Sequence, residues 1–227
     1  MSIQKNIRSI RTRIAAALER SGRSGEQVTL VAVTKTVEVA SIQEALAAGL
    51  MHLGENKVQD AEPKIAALRA QPGLTWHMIG HLQSNKVKTA VALFQLIHSV
   101  DSLRLAQEIS RRAAQQQKVM DVLFEVNVSG ETSKYGLPVD DLFPVISEAA
   151  RLKGLAVKGL MTMAPFIADP EEARPYFRQL REAFLALRDK GVGQMEYLSM
   201  GMTNDFEVAL EEGANIVRIG TAIFGAR

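Results

Sequence analysis

Residues 28–36 read Val28-Thr29-Leu30-Val31-Ala32-Val33-Thr34-Lys35-Thr36. The run is apolar, partly β-branched and polar only at its end. That is the pattern of a strand buried on both faces, as in a parallel sheet. The stretch behind it, Val39–Ala48, is built mostly of good helix formers, and Gly49 follows where a helix C-terminus favours glycine. The same beat recurs along the chain. Further strand-like runs are Met51–Gly54, Trp76–Gly80, Leu96–Val100, Val122–Val128, Ala156–Met163, Glu196–Met200 and Asn215–Ile219; the first run extends over Val28–Thr34. Between them lie Lys57–Arg69, Ser84–Ala92, Ser102–Gln116, Val139–Arg151, Glu171–Asp189 and Asp205–Glu212, all rich in Ala, Leu, Glu, Gln or Arg.

Eight strands alternating with helices predict a parallel sheet, since parallel neighbours need a helical crossover between them. Eight is also the number at which such a sheet closes into a (β/α)8 TIM barrel. The competing arrangement is an open doubly wound sheet. Even spacing and the lack of a glycine-rich dinucleotide fingerprint favour the barrel. At 227 residues the chain is short for this fold (typically ~250 residues), so residues 1–227 are read as one domain with tight loops.

Upstream of the first strand, Ile3, Ile7, Ile10, Ile14 and Leu18 fall on one helical face, with Lys5, Arg8, Arg11 and Arg13 between them. A basic, acid-poor amphipathic segment is shared with transit peptides. Apolar periodicity is the usual mark of a docked helix, and an additional N-terminal helix lying on the barrel is the favoured reading.

Composition narrows the chemistry. There are 27 Lys and Arg against 25 Asp and Glu, a net charge of +2, and aromatic residues make up 5%. Neither a nucleic-acid platform nor attraction to an anionic membrane is expected. No stretch approaches the roughly 18 apolar residues that span a bilayer. With no cysteine there is no thiolate metal site and no cysteine nucleophile, and a cytoplasmic location is the natural expectation. A metal site is not expected: His77 and His81 straddle a strand end, and His52 and His98 read as ordinary strand histidines.

In a barrel of this kind the functional face is built from the loops after the strand C-termini. Polar residues concentrate there. Lys35 abuts a buried strand, where desolvation would make its amine a nucleophile toward carbonyls; a lysine snorkelling to the surface is the alternative at this position. The loop after strand seven supplies Ser199, Gly201 and Thr203, and that after strand eight supplies Gly220 and Thr221 before a short turn, Ala222-Ile223-Phe224. Hydroxyls, glycines and free backbone N–H groups suit a phosphate, which the last two loops of this fold frequently hold. The alternative is that Gly201 and Gly220 only permit tight turns. Arg218 stands inside an apolar strand and needs a carboxylate, a phosphate or a ring acceptor. Glu125 and Glu196 are strand acids that could pair with it. A lysine on strand one and a phosphate clamp on strands seven and eight fit a phosphorylated aldehyde held as a Schiff base, with pyridoxal 5′-phosphate the obvious candidate. A phosphorylated sugar bound by an aldolase-type lysine is the cofactor-free alternative.

Five motifs strengthen the first option: Ala32-Val33-Thr34-Lys35, Gly54-Glu55-Asn56-Lys57-Val58-Gln59, Ile79-Gly80-His81-Leu82-Gln83-Ser84-Asn85-Lys86, Leu198-Ser199-Met200-Gly201-Met202-Thr203 and Val217-Arg218-Ile219-Gly220-Thr221-Ala222-Ile223-Phe224-Gly225. In this order they resemble the pyridoxal phosphate homeostasis proteins, single-domain relatives of the alanine racemase N-terminal barrel. The resemblance implies that Lys35 forms the Schiff base and that Ser199, Gly201, Thr203, Gly220 and Thr221 surround the phosphate. It implies that Arg218 faces the pyridine nitrogen and that Asn56 and Met202 line the cavity. Thr203 stands where serine is more frequent and keeps the hydroxyl.

The resemblance further implies control of cellular vitamin B6 cofactor supply, with no catalytic residues, and apo forms of pyridoxal-phosphate-dependent enzymes as candidate recipients. An amino-acid racemase is the alternative. It would need a second base from a tyrosine on an additional β domain; of Tyr135, Tyr176 and Tyr197, only Tyr135 falls in a predicted strand-end loop. Lys134 in that loop is a candidate second amine, and a monomer is the default expectation.

Overall fold

The computed structural model describes residues 2–131, 135–165 and 167–225. Its strands are β1 (Thr29–Val33), β2 (His52–Glu55), β3 (Thr75–Met78), β4 (Leu96–Val100), β5 (Met120–Glu125), β6 (Leu155–Met161), β7 (Tyr197–Ser199) and β8 (Ile216–Ile219). They pair in parallel in chain order, and β8 pairs back onto β1 to close the barrel. The helices are α1 (Ile3–Arg20), α2 (Val39–Ala47), α3 (Val58–Leu68), α4 (Val87–Leu93), α5 (Leu103–Gln115), α6 (Leu142–Ala149), α7 (Arg174–Asp189), α8 (Phe206–Glu211) and α9 (Thr221–Phe224). Among the described residues no helix is long and apolar enough to cross a membrane.

All eight sequence-derived strands are present, and their boundaries move for local reasons. Strand five was expected to run to Val128. Beyond Glu125 the chain instead pairs with its own loop: the Leu137 amide donates to Glu125 O (2.8 Å) and the Asn127 amide to Leu137 O (2.9 Å). The expected helix Glu171–Asp189 starts as a short 3-10 turn, Pro170–Ala173, and becomes α-helical at Arg174 with Pro175 in the first turn, where a missing N–H is harmless.

Strand alternation sorts side chains into two cores. Val31, Leu96, Leu123, Met161 and Ile216 point inward, with Tyr197 packed on them. Their neighbours, including Leu53, Ile97, Val122, Leu160, Leu198 and Val217, join the larger layer between sheet and helices. Apolar contact on both faces explains the unbroken apolar run Leu30-Val31-Ala32-Val33 of β1. Helix α1 docks as the isoleucine stripe requires, burying Ile7, Ile10, Ile14, Ala17 and Leu18. The Asn6 amide group donates to Ile223 O (2.9 Å), and Arg13 pairs with Glu207 at 2.8 Å, tying α1 to α9 and α8.

One close approach controls the β6–β7 seam. Gly159 has φ +153°, and a β-carbon there would lie 1.8 Å from Tyr197 O. Alanine would have to adopt an unfavourable backbone and push the strands apart. Gly159→Ala should cost about 3–5 kcal/mol of unfolding free energy by urea titration; a loss under about 1 kcal/mol would show that the seam tolerates separation.

Candidate functional site

Lys35 follows β1 by two residues, and its direction is set by what its neighbours do. Thr34 points outward and is fully buried. Its hydroxyl donates to Glu55 Oε1 (2.6 Å), while Lys64 Nζ donates to both Glu55 Oε1 and Thr34 O, each at 2.7 Å. The Val37 amide also donates to Thr34 O (2.9 Å), making a tight turn. Inside that turn Thr36 has φ +59°, a left-handed conformation that is costly for a β-branched residue. With Thr34 anchored on the outside, strand parity turns Lys35 to the inner rim, where it lines a cavity of about 600 Å3.

The loops after β7 and β8 form the rest of that cavity. Gly201 has φ +93°, and a β-carbon there would meet Ala209 Cβ at 2.6 Å and Phe206 Cα at 2.9 Å. Glycine thus lets the loop bend against α8. The bend is held by the Met202 amide, which donates to Asp205 Oδ1 (2.6 Å), and by the Arg218 amide, which donates to Gly201 O (3.0 Å). Gly220 caps α9, whose first residue is Thr221. A helix leaves its first amides without intrahelical partners, and the Ala222 amide reaches Thr203 Oγ1 at 3.5 Å.

The cavity therefore brings together Lys35, Met202, Thr203, Arg218, Gly220 and Thr221. Asn56 lines a neighbouring cavity of about 340 Å3 with Gln59, His81 and Lys86. Gly201 holds the loop through its backbone, and Ser199 lies deeper, fully buried inside the barrel. Lys134 lies outside the described residues. Tyr135 is 55% exposed and stacks on His81 with ring centroids 3.9 Å apart.

Arg218 is 3% exposed. Its Nη1 donates to Ser199 Oγ (2.6 Å) and its Nη2 to Thr162 O (2.8 Å). Neither acid suggested by the sequence forms an ion pair with it: Glu196 pairs with Lys158 (3.0 Å), and Glu125 acts on it through space alone. Burial draws the Arg218 pKa down to about 10, opposed by Glu125 and Asp205. Burial pushes Asp205 upward.

The histidines are not independent strand residues. His52 Nδ1 lies 3.0 Å from His77 Nε2, His77 Nδ1 lies 2.9 Å from His98 Nε2, and His98 Nδ1 lies 3.0 Å from Ser199 Oγ. Burial lowers all three pKa values, that of His77 to about 3 with a further contribution from His52. Each ring is thus held neutral, one nitrogen donating and the other accepting. The available signal was parity: inward-facing positions on β2, β3 and β4 all carry histidine. Among the described residues no group of three or more His, Asp or Glu could hold a metal ion.

Fold and rim together define a closed (β/α)8 barrel whose rim cavity gathers an amine, a buried guanidinium and two hydroxyl-bearing loops. The family described as Alanine racemase, N-terminal domain, matches residues 2–227. The pyridoxal phosphate homeostasis protein of Aquifex aeolicus is 44% identical over 227 residues, covering 100% of this chain and 99% of that protein. PipY of Synechococcus elongatus superposes with a TM-score of 0.89 without PLP (36% identity) and 0.88 with PLP bound (35% identity); each comparison covers 99% of this chain and 100% of that one. The chain belongs to the pyridoxal phosphate homeostasis protein family.

Glu125 shares the inward face of Leu123 and is 3% exposed. Burial raises its pKa from 4.5 to about 7, with Asp101 adding to the rise and Arg218 opposing it. The folded protein therefore holds a proton that the unfolded chain releases. The resulting stabilisation is present at low pH and is lost as pH rises from about 4.5 to about 7. Urea titrations across this window should show wild type losing about 3 kcal/mol relative to Glu125→Gln. Parallel pH profiles would mean that Glu125 ionises normally.

Proposed function

We propose that this protein binds pyridoxal 5′-phosphate in the rim cavity, holds it as a Schiff base on Lys35, and serves cofactor homeostasis rather than catalytic turnover. The observation that carries the reading is the convergence of Lys35, Arg218, Thr203 and Thr221 on one cavity of about 600 Å3. The donor set fits the group: an amine for the aldehyde, threonine hydroxyls and backbone N–H groups for the phosphate, and a guanidinium for the ring nitrogen. Support also comes from the PLP-bound state of PipY and from the names of the relatives.

In this reading Thr203, Gly220 and Thr221 hold the phosphate, while Ser199 and Gly201 shape the loop beneath it. Met202 lines the cavity wall, and Asn56 lines the neighbouring cavity on the β2 side. When bound, the cofactor supplies an aldehyde that captures amines and a ring that withdraws electrons best when its nitrogen is protonated. Arg218 only donates hydrogen bonds, so against that nitrogen it favours the unprotonated form. A racemase also needs a proton donor on the opposite face. Tyr135, the rim tyrosine, stacks on His81 and is not among the residues that line the rim cavity. The reading includes a monomer in the cytoplasm that hands the cofactor to apo forms of pyridoxal-phosphate-dependent enzymes, and a cysteine-free chain suits that compartment.

Incubation with pyridoxal 5′-phosphate, borohydride reduction and peptide mass analysis should place one reduced pyridoxyl-phosphate adduct on Lys35 and none on Lys35→Ala. A wild-type protein that takes up no cofactor would sink the reading. Exchange of an amino acid's α-proton well above the rate with free cofactor, lost in Lys35→Ala, would favour the racemase.

A further inference from the structure

We propose that Arg218 is oriented by a one-directional hydrogen-bonded chain through the barrel interior, from Arg218 to Ser199, His98, His77 and His52, and that His98 is its positioning residue. The direction follows from what each group can do. A guanidinium has donors and no acceptor. Arg218 Nη1 therefore spends a hydrogen on Ser199 Oγ at 2.6 Å. The hydroxyl must place its own hydrogen elsewhere, and His98 Nδ1 stands 3.0 Å away. With Nδ1 accepting, the His98 proton sits on Nε2, 2.9 Å from His77 Nδ1. The same logic carries the His77 proton to Nε2, 3.0 Å from His52 Nδ1.

The opposite direction would aim two donors at the serine oxygen and strand its hydrogen in a fully buried place, where a lost partner is costly. The forward direction leaves no ring nitrogen between Ser199 and His52 unmatched. Burial keeps the rings neutral, as an alternating N–H···N chain requires.

The consequence concerns Arg218. Ser199 and Thr162 O fix the plane of its guanidinium, leaving its other N–H groups for the cavity that it lines. Ser199 can accept from Arg218 most effectively while it donates to His98, because such bonds polarise one another. His98 thus acts on the ring contact through Ser199 and Arg218 without touching the cavity. The effect on the cofactor rests on the pyridoxal phosphate reading; the chain itself does not.

Two measurements test the proposal and separate it from that reading. In apoprotein with 15N-labelled histidine, long-range proton–nitrogen correlation should show His52, His77 and His98 as neutral rings protonated on Nε2, with His81 outside the chain as internal reference. A proton on Nδ1 of His77 or His98, or a doubly protonated ring at either, overturns the direction. In cofactor-loaded protein, Ser199→Ala and His98→Gln should shift the absorption band of bound pyridoxal phosphate and raise its Kd about tenfold. His98→Asn, which returns an acceptor near the Nδ1 position, should restore both. Wild-type band and Kd in all three variants, or an Asn variant as impaired as the Gln variant, overturns the positioning role. A wild-type protein that binds no cofactor defeats the functional reading, while the tautomers still decide the chain.

Discussion

A permanently charged guanidinium inside a closed barrel is the constraint around which this molecule is arranged. Arg218 cannot shed its charge as a buried lysine or carboxylate can, so the interior at its level must supply acceptors. Ser199 provides one and the Thr162 carbonyl another. Thr162 donates its own hydroxyl to Val126 O (2.7 Å), which fixes its backbone at the end of β6. Serine in turn needs an acceptor, and histidines fill the space down to His52. One cation thereby makes a whole layer of the barrel polar, between the apolar core around Val31 and Leu96 and the rim cavity above.

Lys35 is fixed by opposite means. Its immediate neighbour is bound on the outside of the sheet by Glu55 and Lys64, both nearly or fully buried. A buried ion pair contributes little net stability against an apolar replacement, yet breaking it leaves a charge stranded. Its value here is geometric: Thr34 cannot rotate inward, so Lys35 cannot rotate outward. The left-handed turn at Thr36 adds strain that the surrounding structure must offset, a pattern frequent where a side chain is held for function.

Much of this was legible in the sequence. Eight apolar runs separated by helical stretches gave the barrel, because parallel strands buried on both faces cannot hide their composition. The rim was legible because polar residues gather at strand C-termini. The histidine layer was not. His52, His77 and His98 sit on three successive strands, and each looks like any strand residue until its inward parity is known. The contact between His98 on β4 and Ser199 on β7 forms only when the barrel closes. The partners of Arg218 stayed hidden for a related reason: one is a carbonyl, which no side-chain pattern records. Strand ends were misplaced where the chain bonds to its own loop, as at Asn127 and Leu137.

Parity also explains why the cavity lies where it does. On β8 and its exit, Ile216, Arg218 and Gly220 occupy successive inward levels: apolar core, polar layer and rim. On β1 the successive inward positions are Val31, Val33 and Lys35, and on β7 they are Tyr197, Ser199 and Gly201, with neighbouring strands staggered by one inward step: Arg218 pairs with Val31 and Ile216 with Ser199. These strands are adjacent, β7 to β8 and β8 to β1, so the loops at their C-terminal ends meet, and Lys35, Met202, Thr203, Gly220 and Thr221 line the rim cavity there. A one-residue slip in any of them would exchange the inward and outward sets. Val217 or Ile219 would then replace Arg218 in the polar layer, and Thr34 would replace Lys35 at the rim. The outward lock on Thr34 and the inward lock on Arg218 oppose that slip from the two sides of the same seam, so the polar bonds that shape the site also fix the register of the strands that carry it.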